Sequence, residues 1–413
     1  MREYKYQVRV VESSLRDCVL KEMRRIGSDA TGIALMKRKA RTFAILLKDL
    51  SRIQCNLLKQ HALSAGGDLA VTREVASEEA LRSDGLVIGT EKQLHLFLER
   101  LSLQRFDLPR IAEEIRDVLE RYDRDSFTLR IGKRAIEFGA APVLMGVLNV
   151  TPDSFYNGGR YLDMERAKAQ VHELTSAGAA LLDIGGQSTR PGSEEVPLDE
   201  ELRRVIPAIE AAREITPLPI SVDTYRSAVA QEALDTGADL VNDISALRAD
   251  HGMAALVAKR DVPIIIMHMR GTPRTMQENP TYEDLISEIT AYLREGIRKA
   301  QSAGIREEQI VIDPGIGFGK TLEHNLEILN RLSEFRSIGR PILIGPSRKS
   351  FIGKVLGREP EGRLFGTAAA VAACVAGGAK IVRVHDVREM MDVANVMAAI
   401  LQVKAAPVEV LHE

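Results

Sequence analysis

Cysteine is scarce in this chain. Three occur, Cys18, Cys55 and Cys374, too far apart for a CxxC pair or a Cys/His zinc spacing, so neither a disulfide framework nor a zinc site is indicated. A reducing, cytoplasmic home is expected. Long apolar runs are missing too: nothing approaches the ~18 uninterrupted residues of a membrane span, and the start, "MREYKYQVRVVESS", lacks the apolar centre of a signal peptide. A soluble, unprocessed protein is expected. Net charge is also lacking, with 56 basic against 58 acidic side chains and a balance of −2. No general attraction to nucleic acid or membrane follows, so any anion site must be local. There is no solenoid-period repeat, low-complexity linker or dinucleotide-binding glycine fingerprint. What is present is ordinary for a globular protein: 45% hydrophobic and 28% charged residues, enough for a sizeable core.

From Pro142 onward, short apolar runs alternate with amphipathic stretches of helical length. The runs are "VLMGVLN" from Val143, "ALLDIGG" from Ala180, "LPISVD" from Leu218, "DLVNDI" from Asp239, "PIIIMH" from Pro263, "IVIDPG" from Ile310, "PILIG" from Pro341 and "KIVRVH" from Lys380. Continuous rather than alternating apolar character indicates strands covered on both faces, as in parallel sheets with crossover helices. The intervening "MERAKAQVHELTSAGA" (Met164 to Ala179) and "EDLISEITAYLREGIRKAQSAG" (Glu283 to Gly304) read as helices that stop near a glycine. Eight βα units over roughly 270 residues fit a (β/α)8 TIM barrel. A doubly wound open sheet is the alternative.

Residues 1–126 have a different texture, with mixed helical and strand-like segments such as "EKQLHLFLERL" (Glu91 to Leu101) and "IAEEIRDVLERYDRD" (Ile111 to Asp125). They read as a smaller N-terminal α/β domain of undefined role, with the barrel occupying 127–407. "SAGGDLA" (Ser64 to Ala70) is better read as a turn between elements than as a phosphate loop. "FTLRIGKRAIEF" (Phe127 to Phe138) looks like a hairpin turning at Gly132 and Lys133, placed to plug the barrel's lower mouth.

In such a barrel the chemistry sits at the C-terminal strand ends. Here those ends are polar: Asn149, Asp223, Asn242 and Asp243, His268, Asp313, then Ser347 to Ser350, and Arg383 with His385. One such residue is most simply a helix cap; so many convergent ends are not. Asp223, Asn242 and Asp313 suit a flat heterocycle bearing N–H donors, such as an amino-oxo pyrimidine. Arg190, Lys349, Arg383 and His385 suit a phosphate or diphosphate, the last two sharing one strand face. Arg348 and Lys349 in "GPSRKSF" are both expected to point at an anionic or π-rich ligand. "NVTPDSFYNGGRY" and "GGQSTRPGSEEV" are long loops with the character of lids or clamps. His268 and His324 lack a partner at metal spacing and read as capping or satisfied histidines.

"MGVLNVTPDSF", "DIGGQSTRPG", "SVDT", "VNDI", "MHMRGTPRTMQ", "DPGIGFGKT", "GPSRKSF" and "RVHD", in this order over about Phe127 to Val403, closely resemble dihydropteroate synthase, the folate-pathway family that sulfonamides target. The resemblance implies a transferase that joins 7,8-dihydropterin-6-ylmethyl diphosphate to 4-aminobenzoate, giving 7,8-dihydropteroate and diphosphate. It implies that Asp223, Asn242, Asp313 and Lys349 hold the pterin. Asn149, Thr189, Arg383 and His385 would hold the diphosphate with Mg²⁺, Asn149 being the metal ligand. Phe155, Arg190, Pro191 and Ser350 would shape the aminobenzoate pocket. A homodimer is implied as well. Gln187 and Asn157 depart from the family pattern, standing where Glu and Asp are common, and both remove a negative charge.

Two other readings use the same barrel. A pterin-dependent methyltransferase acting on a corrinoid protein would have no use for the "SRKS" and "STRPG" loops. A silent pterin-binding protein would not need Asn149, Arg383 and His385 together.

Overall fold

The computed structural model describes residues 9–11, 16–77, 79–139, 141–150, 160–187 and 195–402. They form two compact units, one up to Glu120 and one from Arg121 to Gln402. The division falls in the last turns of the helix Leu108–Asp123, where the sequence put it after residue 126.

The first unit has three strands, β1 (Thr42–Ser51), β2 (Asp68–Val71) and β3 (Arg82–Thr90), in an antiparallel sheet of order β1-β3-β2. Two strands hand directly over to helices. Ser51 and Thr90, the last residues of β1 and β3, cap the helices Arg52–Ser64 and Glu91–Leu101, and Gln54 and Gln93 close reciprocal capping boxes. Cys55, Leu58, Leu69, Val87, Leu94, Phe97 and Leu101 form the core between helices and sheet. "SAGGDLA" is a turn: the Gly67 N–H donates to the Ala62 carbonyl at 2.9 Å, closing the helix end.

The second unit begins with a hairpin, β4 (Phe127–Ile131) and β5 (Arg134–Phe138), paired in register from Phe127 opposite Phe138 to Ile131 opposite Arg134. Eight parallel strands follow: β6 (Val143–Asn149), β7 (Leu181–Gly185), β8 (Ile220–Asp223), β9 (Leu240–Asp243), β10 (Ile264–Met267), β11 (Ile310–Asp313), β12 (Leu343–Ile344) and β13 (Ile381–Val384). Each lies inside its apolar run. The sheet order is β11-β10-β9-β8-β7-β6-β13-β12, and a parallel bridge between Ile312 and Ile342 joins the two end strands. The sheet is thus a closed barrel, not the open doubly wound alternative. The helices Arg160–Ser176 and Leu285–Ser302 are the two stretches read as amphipathic. Each is followed by a glycine with positive φ, Gly178 and Gly304, as a C-terminal stop requires.

Alternate strand residues face opposite ways. Ile220, Val222, Val241, Ile264, Ile266, Ile310 and Ile312 join helix residues such as Val229, Ala233, Ile289 and Leu293 in the large core around the barrel. Met145, Leu181, Leu240, Ile265, Val311, Leu343 and Ile381, at the starts of their strands, pack instead with Leu129, Ile131 and Phe138 of the hairpin. The hairpin therefore seals the N-terminal mouth with apolar side chains. Polar side chains inside the barrel are left to the other end.

Phe138 is only 1% exposed. Replacing it with alanine removes a large part of the seal, and the expected loss is about 3–5 kcal/mol, read as a fall in the urea unfolding midpoint. A loss under about 1 kcal/mol would show that the hairpin is not part of the barrel core.

Candidate active site

At the C-terminal mouth the inward positions turn polar in one layer. Arg383 on β13 donates from Nε to Asp183 Oδ2 at 2.6 Å and from Nη2 to Asp223 Oδ2 at 3.1 Å, so one guanidinium spans two carboxylates on β7 and β8. Asn242 on β9 donates from Nδ2 to the same Asp183 oxygen at 3.1 Å. Two buried oxygens here, Asp183 Oδ1 and Ser221 Oγ, have no protein partner among the described residues. Burial, reinforced by the charge of Asp183, pushes the Asp223 carboxyl up to about 7, with Arg383 opposing.

Asp313 at the end of β11 accepts from the Gly315 N–H at 2.7 Å. Burial raises its pKa, against the pull of Lys349. The following loop crosses β10 closely. Gly315 has φ +74°, and a Cβ there would stand 1.9 Å from the His268 carbonyl oxygen, so only glycine fits. Lys349 donates to the Ile316 carbonyl of this loop, and its ammonium lies 4.5 Å from the centre of the Phe318 ring. Burial brings Lys349 down to about 8, with Asp313 and Asp223 holding it up and Arg383 adding to the fall. Four sequence candidates, Asp223, Asp313, Lys349 and Arg383, thus share one electrostatic neighbourhood.

His385, beyond β13, has Nδ1 3.0 Å from Ser347 Oγ and Nε2 3.5 Å from Asn149 Nδ2. Its N–H also donates to Ser347 Oγ at 3.2 Å. Asn149 from β6 and the strand-seven loop therefore meet on the Arg383 side of the mouth.

The adjacent cations of "GPSRKSF" do not act together. Arg348 sits at φ +55°, a left-handed kink that turns neighbouring side chains apart. Its guanidinium forms a two-pronged ion pair with Asp386, Nε to Oδ2 at 2.9 Å, and only Lys349 enters the mouth. The expectation for Arg348 is corrected: it pins the loop to the chain after β13. Asp243 likewise lies outside the site. It accepts from the N–H groups of Ser245 and Leu247 at 2.7 and 2.8 Å and is a turn cap. Ser350 is exposed at the first position of the helix Ser350–Leu356.

Both histidines set aside on spacing are satisfied. His324 completes the capping box of Thr321. His268 is buried with Nδ1 2.8 Å from Lys320 Nζ, and that ammonium also donates to the Phe318 carbonyl at 2.9 Å. Burial, then the charge of Lys320, hold His268 well below its usual range, and burial does the same to Lys320, with Asp313 opposing. Gln187 exchanges hydrogen bonds with the Tyr225 hydroxyl at 3.3 and 3.4 Å. Phe155, Asn157, Thr189, Arg190 and Pro191 lie outside the described residues. The described edge of their second loop is pinned by Arg226, which donates to the Val196 carbonyl at 2.7 Å and to Glu195 at 2.6 Å.

Asp183, Phe318 and Lys320 were not singled out from the sequence. Asp183 left one signal, an acid inside the apolar run "ALLDIGG", two residues before the strand end. Among the described residues no group of three or more His, Cys, Asp or Glu is set to hold a metal ion. A hard cation with few protein ligands is compatible with Asn149, whose amide nitrogen faces His385 and leaves its oxygen as the donor.

A family model described as pterin binding enzyme matches residues 145–385. The dihydropteroate synthase of Synechocystis is 46% identical over 273 residues, covering 66% of this chain and 94% of that protein. A probable bifunctional folylpolyglutamate synthase/dihydropteroate synthase of Haloferax volcanii is 39% identical over 359 residues. That match covers 85% of this chain and 42% of the relative, too long for the barrel unit alone. Among solved structures, Yersinia pestis dihydropteroate synthase in complex with a sulfonamide drug is 40% identical with a TM-score of 0.63, covering 66% of this chain and 99% of that one. Xanthomonas albilineans dihydropteroate synthase with 4-aminobenzoic acid is 43% identical with a TM-score of 0.63, covering 67% and 99%. With the family model spanning its barrel, and the Synechocystis relative and both solved structures matched almost end to end, the chain belongs to the dihydropteroate synthase family of pterin-binding enzymes.

Proposed function

We propose that this enzyme condenses 7,8-dihydropterin-6-ylmethyl diphosphate with 4-aminobenzoate, releasing diphosphate and forming 7,8-dihydropteroate. The observation that carries the reading is the two-part polar layer at the barrel mouth: acceptors and an amide on one side, Arg383, His385 and Asn149 on the other. Asp223, Asn242, Asp313 and Lys349 take the pterin. Its ring N–H groups meet carboxylate and amide oxygens, and Lys349 serves a ring acceptor. Asn149, Thr189, Arg383 and His385 take the diphosphate. Phe155, Arg190, Pro191 and Ser350 take the aminobenzoate.

Mg²⁺ held by the Asn149 oxygen would add positive charge at the diphosphate and make it a better leaving group. Arg383 and His385 supply the protein's share of that neutralisation. The C–O bond to the pterin methylene breaks first, in an SN1-like step, leaving a cation delocalised into the pterin. Asp223 and Asp313, ionised, stabilise it across a short distance in a water-poor mouth. The aryl amine then forms the C–N bond and loses a proton. No side-chain nucleophile takes part.

A cytoplasmic place of action belongs to the same reading: all three cysteines are free thiols, and among the described residues no helix is long and apolar enough to cross a membrane. We also propose a homodimer. Phe365, Val396 and Ile400 are 79%, 60% and 59% exposed on the paired helices Leu364–Ala376 and Val387–Leu401, an apolar surface that a second copy would cover.

With Mg²⁺ and both substrates, diphosphate release is expected to depend on aminobenzoate, and Lys349→Ala to lower kcat/KM by about 100-fold or more. A wild-type protein that binds the pterin diphosphate but releases nothing would sink the synthase reading. The pH profile gives a second test. Asp223 is useful only when ionised, so kcat/KM should rise as pH passes about 7. Lys349 is useful only when charged, so it should fall as pH passes about 8. Asp223→Asn should abolish the rising limb, and its survival would remove Asp223 from this role. Finally, light scattering should show Phe365→Glu shifting a dimer toward monomer; a wild type already at monomer mass would refute the dimer.

A further inference from the structure

Lys349 is seated by the loop that follows β11. It donates to the Ile316 carbonyl, its ammonium faces the Phe318 ring at 4.5 Å, and its stem lies against Gly317, where an added Cβ would meet Lys349 Cδ at 3.1 Å. Residues 316–318 therefore aim this ammonium. Gly315, Gly317 and Gly319 alternate through the same stretch, all at positive φ, so the order of this backbone has to come from outside ties. Asn325 accepts the Gly317 N–H at 2.6 Å, Gln277 donates to the Gly317 carbonyl at 2.8 Å, and the Tyr282 hydroxyl donates to the Gly319 carbonyl at 2.7 Å. Between those ties, the Phe318 carbonyl accepts from Lys320 Nζ at 2.9 Å.

For folding alone, a lysine is badly placed here. Lys320 is only 2% exposed, and it stands directly before Thr321, the N-cap of the helix Leu322–Asn330, where the helix dipole opposes positive charge. Lys349 adds a like charge nearby. An apolar side chain would fill the position at less cost. What the lysine gains is geometric: one nitrogen reaches two acceptors, the Phe318 carbonyl and His268 Nδ1 at 2.8 Å. Charged or neutral, the amine has N–H groups enough for both. His268 is a fixed post, 4% exposed, with its backbone N–H donating to the Asp313 carbonyl at 2.9 Å. Burial first, then the charges of Lys320, Arg248 and Arg270, keep its ring neutral, so it offers a lone pair rather than a second cation.

We propose that Lys320 is a positioning residue for pterin capture: anchored on His268, it fixes the Phe318 carbonyl and so sets the seat from which Lys349 meets the substrate ring. The inference rests on the assignment of Lys349 to the pterin and extends it to a side chain that acts only through the loop. The diphosphate side of the mouth, with Asn149 on β6 and Arg383 on β13, is carried by other strands and is spared.

The test is titration calorimetry of the full-length protein with two probes: 6-hydroxymethyl-7,8-dihydropterin, the pterin half without its leaving group, and diphosphate with Mg²⁺. Lys320→Met keeps the length of the side chain and removes its donors. It is expected to weaken pterin binding about tenfold and to leave diphosphate affinity within about twofold. Lys320→Met combined with His268→Leu makes both partners apolar, which restores most of the fold stability but supplies no donor to Phe318. Its thermal midpoint should approach that of the wild type while its pterin affinity stays low, and it replaces the single variant should that one fail to fold. A wild type that binds no pterin would sink the pterin reading and this inference with it. Where the wild type does bind, the inference alone is overturned if Lys320→Met binds pterin equally well, if pterin and diphosphate affinities fall together, as general loosening would make them, or if the double variant recovers wild-type pterin affinity.

Discussion

A half-buried guanidinium held between two carboxylates organises this molecule. Arg383 reaches across the barrel mouth from β13 to Asp183 on β7 and Asp223 on β8. Charges inside a protein persist only when paired, since an isolated buried ion costs several kcal/mol. Each member therefore depends on the others, and removing the cation would leave two carboxylates facing one another. The same arrangement keeps Asp223 near the point of ionisation at neutral pH. A carboxylate already fully compensated could offer little to a cation formed on the substrate; one held near the balance point has more to give when positive charge appears beside it.

That triad is possible because the strand period of two sorts the barrel interior into layers. Along β7, Leu181 faces the hairpin seal and Asp183 faces the mouth; along β13 the same relation holds for Ile381 and Arg383. Sealing one end with Leu129, Ile131 and Phe138 makes the other end the only place inside the barrel where polar groups can reach water or ligand. The functional end follows from where the apolar plug sits.

The barrel was legible because its strands are buried on both faces, so that each appears as an unbroken apolar run whose ends could be read to within a few residues. β12 shows the limit: the strand shrinks to Leu343 and Ile344, with Ile342 adding a single bridge to Ile312, after Pro341, which has no N–H for the ladder. The acids and amides at run ends were legible for the same reason. Asp183 was not, because it lies one layer deeper and a run-end search stops short of it. Arg348 was misjudged because adjacent residues in a loop need not share a direction, and a left-handed φ at a non-glycine residue leaves no mark in the sequence. Lys320 escaped as the partner of His268 because their bond joins two loops 52 residues apart.

A chain with a formal charge of −2 gives no hint that its barrel carries cations at both ends. The two ends differ in how those cations are answered. At the mouth, Arg383 and Lys349 face Asp183, Asp223 and Asp313, so the field is mixed, as a site needs when it must accept a heterocycle's N–H groups and a leaving diphosphate together. At the sealed end, Arg340 is answered by the Glu307 carboxylate and the Gly339 carbonyl together, a pairing of one cation with side chain and backbone rather than a field of mixed charges.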